Sequence, residues 1–130
     1  MITALYASLL TLLIVWLSLN VIKSRRKHMV RYGDGDNKDL IIARTAQSNT
    51  VQYIPLALML MLMLELNHAS IWLIHLLGIT LLTGRIIYAH ALLKGKHSGR
   101  VTGMKITLYV LIALAFLNIA YLPYERLLNL

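Results

Sequence analysis

Four long apolar segments constrain this chain more than any other feature of its sequence. They cover about residues 2–22, 40–64, 69–93 and 101–122 of 130, and 58% of all residues are hydrophobic. An α-helix rises about 1.5 Å per residue, so roughly 20 residues cross the ~30 Å hydrocarbon layer of a bilayer. Lipid offers no partners to backbone amides, and a segment that spans it must therefore be helical. The sequence predicts an all-α integral membrane protein.

Short polar connections between these segments predict a four-helix bundle with up-down topology in a single domain. The first segment has neither a basic region before it nor a small-residue cleavage motif, so we interpret it as a retained helix rather than a signal peptide. The Gly-Asp-Gly-Asp run from Gly33 is a turn signal that separates the first two helices. We expect helices at about residues 2–30, 38–65, 69–94 and 101–124.

The distribution of lysine and arginine predicts how the bundle is oriented. The first and third connections are basic, whereas the second contains neither residue. Basic loops stay on the cytoplasmic side, so these two connections face the cytoplasm and both termini lie outside. No nucleic-acid motif accompanies the basic residues, and the net charge of +8 therefore indicates membrane lipids rather than a nucleic acid as the partner.

A polar stripe runs along the first half of the second helix. Its members share one helical face, at spacings of three, four and seven residues: Thr45, Ser48, Asn49 and Gln52. Such side chains often hydrogen-bond one membrane helix to another, which is one interpretation of the stripe. The neighbouring charge of Arg44 favours a binding site instead, and we expect the stripe to face the inside of the bundle.

Arg85 lies inside the third apolar segment, where an arginine costs a few kcal/mol unless it has a partner. Tyr88 shares its helical face. One interpretation is that Arg85 extends to the inner headgroups. No acidic residue lies at the depth of Arg85 or Arg44, so the alternative is an anionic ligand that enters from the cytoplasm. Arg25 and Arg26 either meet lipid headgroups at the end of the first helix or border the same anion site.

Several other kinds of chemistry are excluded. The absence of cysteine removes disulfides, thiolate metal sites and a cysteine nucleophile. The five histidines are scattered over loops and distant helix positions, so we predict no haem or metal site. Phosphate-loop, zinc-protease and serine-hydrolase motifs are missing. A proton-coupled drug exporter would need an intramembrane carboxylate, which the first helix lacks.

Motifs along the chain resemble those of the MAPEG family, the membrane-associated proteins in eicosanoid and glutathione metabolism. The second helix carries TAQSNTVQYIP from Thr45 to Pro55, where the family has approximately Arg-Ala-His-x-Asn-x-x-Glu-Tyr-x-Pro. VIKSRRK in the first helix and GRIIYAHAL in the third are also similar to family sequences, and YGDGDNKDL resembles a bacterial branch. The likeness covers essentially the whole chain.

The resemblance implies a homotrimer in the bacterial inner membrane, with glutathione held between neighbouring subunits near the cytoplasmic face. Glutathione would be the co-substrate, and the second substrate would be a hydrophobic small molecule from the bilayer. Arg26 matches an arginine that activates the thiol, so its implied role is catalytic. The implied glutathione-binding residues are Arg25, Arg44, Asn49, Gln52, Tyr53, Arg85, Tyr88 and Arg100.

Two departures from the family motif bear on activity. Thr45 stands at the position of the motif arginine, with Arg44 one residue earlier, and Gln52 replaces the glutamate that would pair with the ligand's ammonium. A glutamine loses the charge-assisted part of that bond, roughly 1–2 kcal/mol. Two functions stay open: a glutathione-dependent transferase or lipid hydroperoxide reductase, and a non-catalytic protein that binds a lipid or another anionic amphiphile.

Overall fold

A computed structural model describes residues 1–129 as a bundle of four long helices followed by a short one. They are α1 (Ile2–His28), α2 (Lys38–Leu66), α3 (Ile71–Leu93), α4 (His97–Ala120) and α5 (Tyr124–Leu128). Each of the first four is long and apolar enough to cross a membrane. Residues 1–129 contain no strand, so the predicted all-helical class is confirmed.

The two middle helices form the centre of the bundle. Both α2 and α3 contact each of the other long helices, whereas α1 and α4 lie on opposite sides of that pair. The start of α1 meets the end of α2, because the Glu65 carboxylate accepts hydrogen bonds from the backbone amides of Ile2 at 2.6 Å and Thr3 at 3.0 Å. These amides have no partner within their own helix, so Glu65 caps α1 from a neighbouring helix.

The connection between α1 and α2 is a turn that depends on left-handed backbone conformations. Gly33 and Gly35 have φ angles of +62° and +57°, which glycine adopts without steric cost. At the end of this turn Asn37 caps α2, since its side-chain oxygen accepts from the Leu40 amide at 3.1 Å. The predicted turn signal in this connection is therefore confirmed.

The fourth helix differs from its predicted bounds of about 101–124. It begins four residues earlier, at His97, directly after a turn in which Gly95 has a φ of +73°. It ends at Ala120, and Pro123 directly precedes the separate short helix α5. Hydropathy identifies only the apolar part of a helix, so the sequence did not predict the polar first turn of α4.

Close packing of α3 against α4 depends on two facing glycines. A Cβ atom on Gly103 would lie 2.6 Å from the backbone nitrogen of Tyr88 and 2.7 Å from the carbonyl oxygen of Gly84. Contacts this short leave no room for a side chain. Small residues allow membrane helices to approach closely and to gain van der Waals contact, which drives their association within lipid.

Candidate functional site

Arg85 is fully buried at the centre of the bundle, with an exposed fraction of 0%. Its Nη2 donates hydrogen bonds to Asn49 Oδ1 at 2.6 Å and to Thr50 Oγ1 at 2.8 Å, and its Nη1 donates to Thr107 Oγ1 at 3.3 Å. The guanidinium carbon lies 4.5 Å from the centre of the Tyr88 ring. The predicted shared face of Arg85 and Tyr88 is confirmed, and the guanidinium does not extend to the headgroups.

The partners of Arg85 are neutral. Within residues 1–129 no carboxylate comes within ion-pair distance of this guanidinium, and its Nε has no hydrogen-bond partner. The hydroxyls of Thr50 and Thr107 donate to their own helices, to the carbonyls of Ala46 and Gly103 at 2.9 Å each. Their oxygen lone pairs are therefore left to accept from Arg85. The bundle holds a positive charge that dipoles stabilise but no anion neutralises.

Asn49 connects this buried charge to the surface. Its Oδ1 is taken by Arg85, so the two N–H groups of its amide remain to donate to a ligand. Asn49 is half-buried and lines two open cavities, which we call the α2 cavity and the α4 cavity. The α2 cavity has a volume of about 310 Å³ and the α4 cavity about 450 Å³.

The α2 cavity contains the polar stripe on the outer side of the bundle. Its lining residues are Asp34, Ile41, Arg44, Thr45, Ser48, Asn49 and Gln52. Ser48 and Gln52 are exposed, whereas the opposite side of α2 is buried in the bundle. The expectation that the stripe faces inwards is therefore wrong for Ser48 and Gln52, whereas Asn49 does reach the buried Arg85. Small side chains, including Ala43 and Ala46, occupy the inward face and let the neighbouring helices approach closely.

Asp34 is a carboxylate that the sequence analysis did not place at the site. Its Oδ2 lies 4.0 Å from Nη1 of Arg44, so the expectation that Arg44 has no acidic neighbour is also wrong. The turn folds back against α2, and the Asp34 carboxylate is held there by a 2.9 Å hydrogen bond from the Asp36 amide. The prediction compared the depths of helix residues and did not allow for the return of the loop.

The α4 cavity combines basic groups with an apolar wall. Its lining residues are Asn49, Tyr88, His97, Arg100, Val101, Met104, Lys105 and Leu108. The structure thus brings the predicted residues Asn49, Tyr88 and Arg100 together. His97 was missed because the start of α4 was placed too late, although its spacing of three residues from Arg100 puts both on one helical face.

Arg25 and Arg26 lie elsewhere on the single chain. They line a third cavity of about 400 Å³, here called the α1 cavity, at the end of α1. Arg25 Nη1 donates to the carbonyl oxygen of Gly33 at 2.9 Å, which ties the turn to α1, and Arg26 is exposed. Tyr53 is half-buried and lines none of these three cavities. One chain by itself does not bring Arg26 to Asn49.

Comparison with known proteins gives consistent matches over the whole chain. The sequence profile of the MAPEG family matches residues 3–120. The chain is 37% identical over 130 residues to the Inner membrane protein YecN of Escherichia coli strain K12, and the aligned region covers 100% of the chain and 99% of the relative. The protein of the same name from Escherichia coli O6:H1 matches with the same identity and coverage. The matched region contains almost all of the four long helices and the cavities between them.

Proposed function

Because the chain belongs to the MAPEG family, we propose that it is a glutathione-dependent enzyme of a bacterial inner membrane. It adds the glutathione thiolate to a lipophilic electrophile, or uses the thiol to reduce a lipid hydroperoxide. The observation that carries this proposal is the Asn49 amide, which buried Arg85 holds at the boundary of two cavities with a basic residue in each. The proposed localisation follows that of the relative, which is named as an inner membrane protein.

The residues at the two cavities fit the groups that glutathione carries. Its two carboxylates suit the guanidinium groups of Arg44 and Arg100, since arginine binds carboxylates through two parallel hydrogen bonds. The Asn49 amide donates a further hydrogen bond. The buried charge of Arg85 makes this amide a better donor, because a hydrogen bond on one side of a group polarises its other side.

The ammonium of glutathione also finds an acceptor. Gln52 lacks the charge of the family glutamate, but the Asp34 carboxylate lies in the same α2 cavity. We therefore assign to Asp34 the role of binding the ammonium group, with Gln52 as a neutral hydrogen-bond acceptor beside it. An anionic partner for the ammonium group is therefore available in the α2 cavity although the motif glutamate is replaced by Gln52.

A homotrimer is part of the proposal. Ser48 and Gln52 are exposed on one side of α2 although the helix spans the membrane, and polar groups that face lipid cost free energy. A subunit interface over the α2 cavity would relieve that cost. The same interface would carry the α1 cavity of a neighbouring subunit towards Asn49, so that Arg26 stabilises the bound thiol as its thiolate. The proposed orientation, with both termini on the non-cytoplasmic side, rests on the basic first and third connections.

The second substrate is assigned to the apolar wall of the α4 cavity. Val101, Met104 and Leu108 follow one face of α4 away from the basic end of the cavity. A lipophilic electrophile can enter along this wall from the bilayer, while the charged groups of glutathione stay at the cytoplasmic end. When bound, glutathione supplies the nucleophilic thiol, and the protein positions it and lowers its pKa.

A non-catalytic function is the second candidate. It is favoured by the separation of Arg26 from Asn49 on one chain and by the loss of the motif glutamate at Gln52. In that case the two cavities bind a lipid or another anionic amphiphile, and the protein acts as a scaffold or regulator of a partner.

The test separates binding from turnover. The detergent-solubilised protein is passed over glutathione-agarose, and conjugation of glutathione to a chromogenic aryl halide is measured. We expect retention and turnover, with turnover abolished by Arg26→Ala and unchanged by Arg126→Ala, which removes an arginine from the exposed helix α5. Retention without turnover would support the non-catalytic function. The absence of both retention and turnover would refute glutathione binding.

A further inference from the structure

A fourth cavity, which we call the lysine cavity, lies where the end of α1 meets the beginning of α2 and the end of α3. It has a volume of about 260 Å³. The α1 residues that line it include Asn20, Lys23, Ser24 and Lys27, whose spacings of three and four residues place them on one helical face. Arg25 and Arg26 line the α1 cavity instead, and the two linings share no residue, so the lysine cavity is distinct from the α1 cavity.

The charges around the lysine cavity favour an anion. Lys23 and Lys27 lie one helical turn apart, and His28 and Asp39 complete the titratable groups of its lining. The Oδ2 atom of Asp39 lies 3.3 Å from Nε2 of His28, on the side of the cavity formed by α2 and the end of α1. The two positive charges of the lysines outnumber the one negative charge of Asp39, so the lining has a net positive charge whether or not His28 is charged.

Ser24 supplies an independent indication of a ligand. In several other helical positions of this chain a hydroxyl donates to the carbonyl four residues earlier, as Ser8 does to Ala4 and Thr80 does to Leu76. The Oγ atom of Ser24 is shielded from solvent and has no hydrogen-bond partner within residues 1–129. Buried polar atoms nearly always have a partner, so the Ser24 hydroxyl is available to hydrogen-bond a ligand at this cavity.

The lysine cavity lies at the depth of the headgroups, and its remaining wall is apolar. Ile42, Ala43 and Leu93 form this wall. The ends of α1 and α3 carry the basic loops that are expected to face the cytoplasm, so the cavity lies at the cytoplasmic boundary of the bilayer. A basic pocket between helices at this level, with an apolar wall below it, matches a lipid that has an anionic headgroup.

We propose that the lysine cavity binds the phosphate group of an anionic glycerophospholipid from the cytoplasmic leaflet. Lys23 and Lys27 bind the phosphate oxygens, and Ser24 donates to one of them. The acyl chains of the lipid lie along the apolar wall. A free phosphate ion shares the headgroup chemistry but would gain nothing from that wall, and the experiment compares the two.

The test uses native mass spectrometry of the full chain in detergent, titrated with phosphatidylglycerol or with phosphatidylcholine of the same acyl chains. We expect phosphatidylglycerol to bind and phosphatidylcholine to bind at least tenfold more weakly. The double variant Lys23→Gln/Lys27→Gln should lose roughly 30-fold in affinity for phosphatidylglycerol, from about one kcal/mol for each basic residue. The matched control, Lys94→Gln/Lys96→Gln, removes the same charge from the α3–α4 loop and should stay within about twofold.

Three results would overturn the proposal. Equal losses in the two double variants would mean that only the overall charge matters. Equal binding of both lipids would show that the net negative charge of the headgroup is not recognised. Displacement of the lipid by millimolar inorganic phosphate would identify a site for the free anion. Ser24→Ala keeps every charge and should lower the affinity about fivefold, so the proposal stays testable if the double variant fails to fold.

Discussion

Replacing Thr50 by valine tests whether neutral oxygens stabilise the buried charge of Arg85. Valine has nearly the same shape as threonine and the same branching at Cβ, so packing and backbone preference change little. The change removes the hydroxyl oxygen that accepts from Arg85 Nη2 at 2.8 Å. No acidic group within residues 1–129 is placed to compensate for the loss. We therefore expect Thr50→Val to destabilise the folded protein.

The size of the effect follows from the charge on the donor. Hydrogen bonds between side chains of membrane helices average about 0.6 kcal/mol and reach about 1.7 kcal/mol. Bonds to charged groups contribute about 1.5–3 kcal/mol. The Thr50 bond is short and its donor is a buried guanidinium, so we expect a loss of about 1.5–2 kcal/mol in the free energy of unfolding. Thr107→Val removes a longer bond of 3.3 Å and should cost about 0.5–1 kcal/mol.

The measurement is an equilibrium unfolding titration with sodium dodecyl sulfate in mixed micelles, followed by circular dichroism. Thr80→Val is the matched control, because the Thr80 hydroxyl also donates to its own helix, to the Leu76 carbonyl, but lies away from Arg85. This variant should stay within about 0.5 kcal/mol of the wild type. A double-mutant cycle with Arg85→Met assigns the loss to the guanidinium, since Thr50→Val should then cost almost nothing.

Two results would refute the reasoning. Thr50→Val could be as stable as Thr80→Val, which would mean that the guanidinium does not depend on this oxygen. It could also cost as much in the Arg85→Met background as in the wild type, which would attribute the loss to packing.

Three further predictions concern other parts of the bundle. Asp34→Asn should weaken glutathione binding about tenfold, measured by calorimetry, because the ammonium loses its anionic partner. Asp36→Asn in the same turn should leave binding unchanged, and equal effects of the two variants would contradict the role of Asp34. Gly103→Ala should lower the free energy of unfolding by about 1–3 kcal/mol in the same titration, because the new Cβ meets the backbone of Tyr88. Wild-type stability of this variant would show that α3 and α4 separate easily. Glu65→Gln should lower the free energy of unfolding by about 1 kcal/mol and speed hydrogen exchange of the backbone amides in the first turn of α1. Unchanged exchange would show that the carboxylate does not cap α1.

The four helices and the shared face of Arg85 and Tyr88 could be predicted because both follow from local sequence. The need to cross lipid determines the length of each apolar segment. Helical periodicity then determines which residues share a face, and it placed Arg85 beside Tyr88 correctly.

Other features of the site depend on contacts that periodicity does not contain. The spacing of Ser48 and Gln52 identified a polar face of α2 but not the direction in which it points. That direction is set by the small residues on the opposite face, which pack closely in the bundle. Asp34 reaches Arg44 only because the turn folds back over α2, a contact between a loop and a helix ten positions along the chain.

The partners of Arg85 also bear on how the chain enters the membrane during synthesis. An isolated α3 would carry the guanidinium into lipid with no side-chain acceptor, at a cost of a few kcal/mol. Its two shortest bonds go to Asn49 and Thr50 on α2, which precedes α3 in the chain and is made before it. The third goes to Thr107 on α4, which is made afterwards. Pairing with α2 lowers the cost of inserting α3, and we therefore expect the second and third helices to enter the bilayer as a pair.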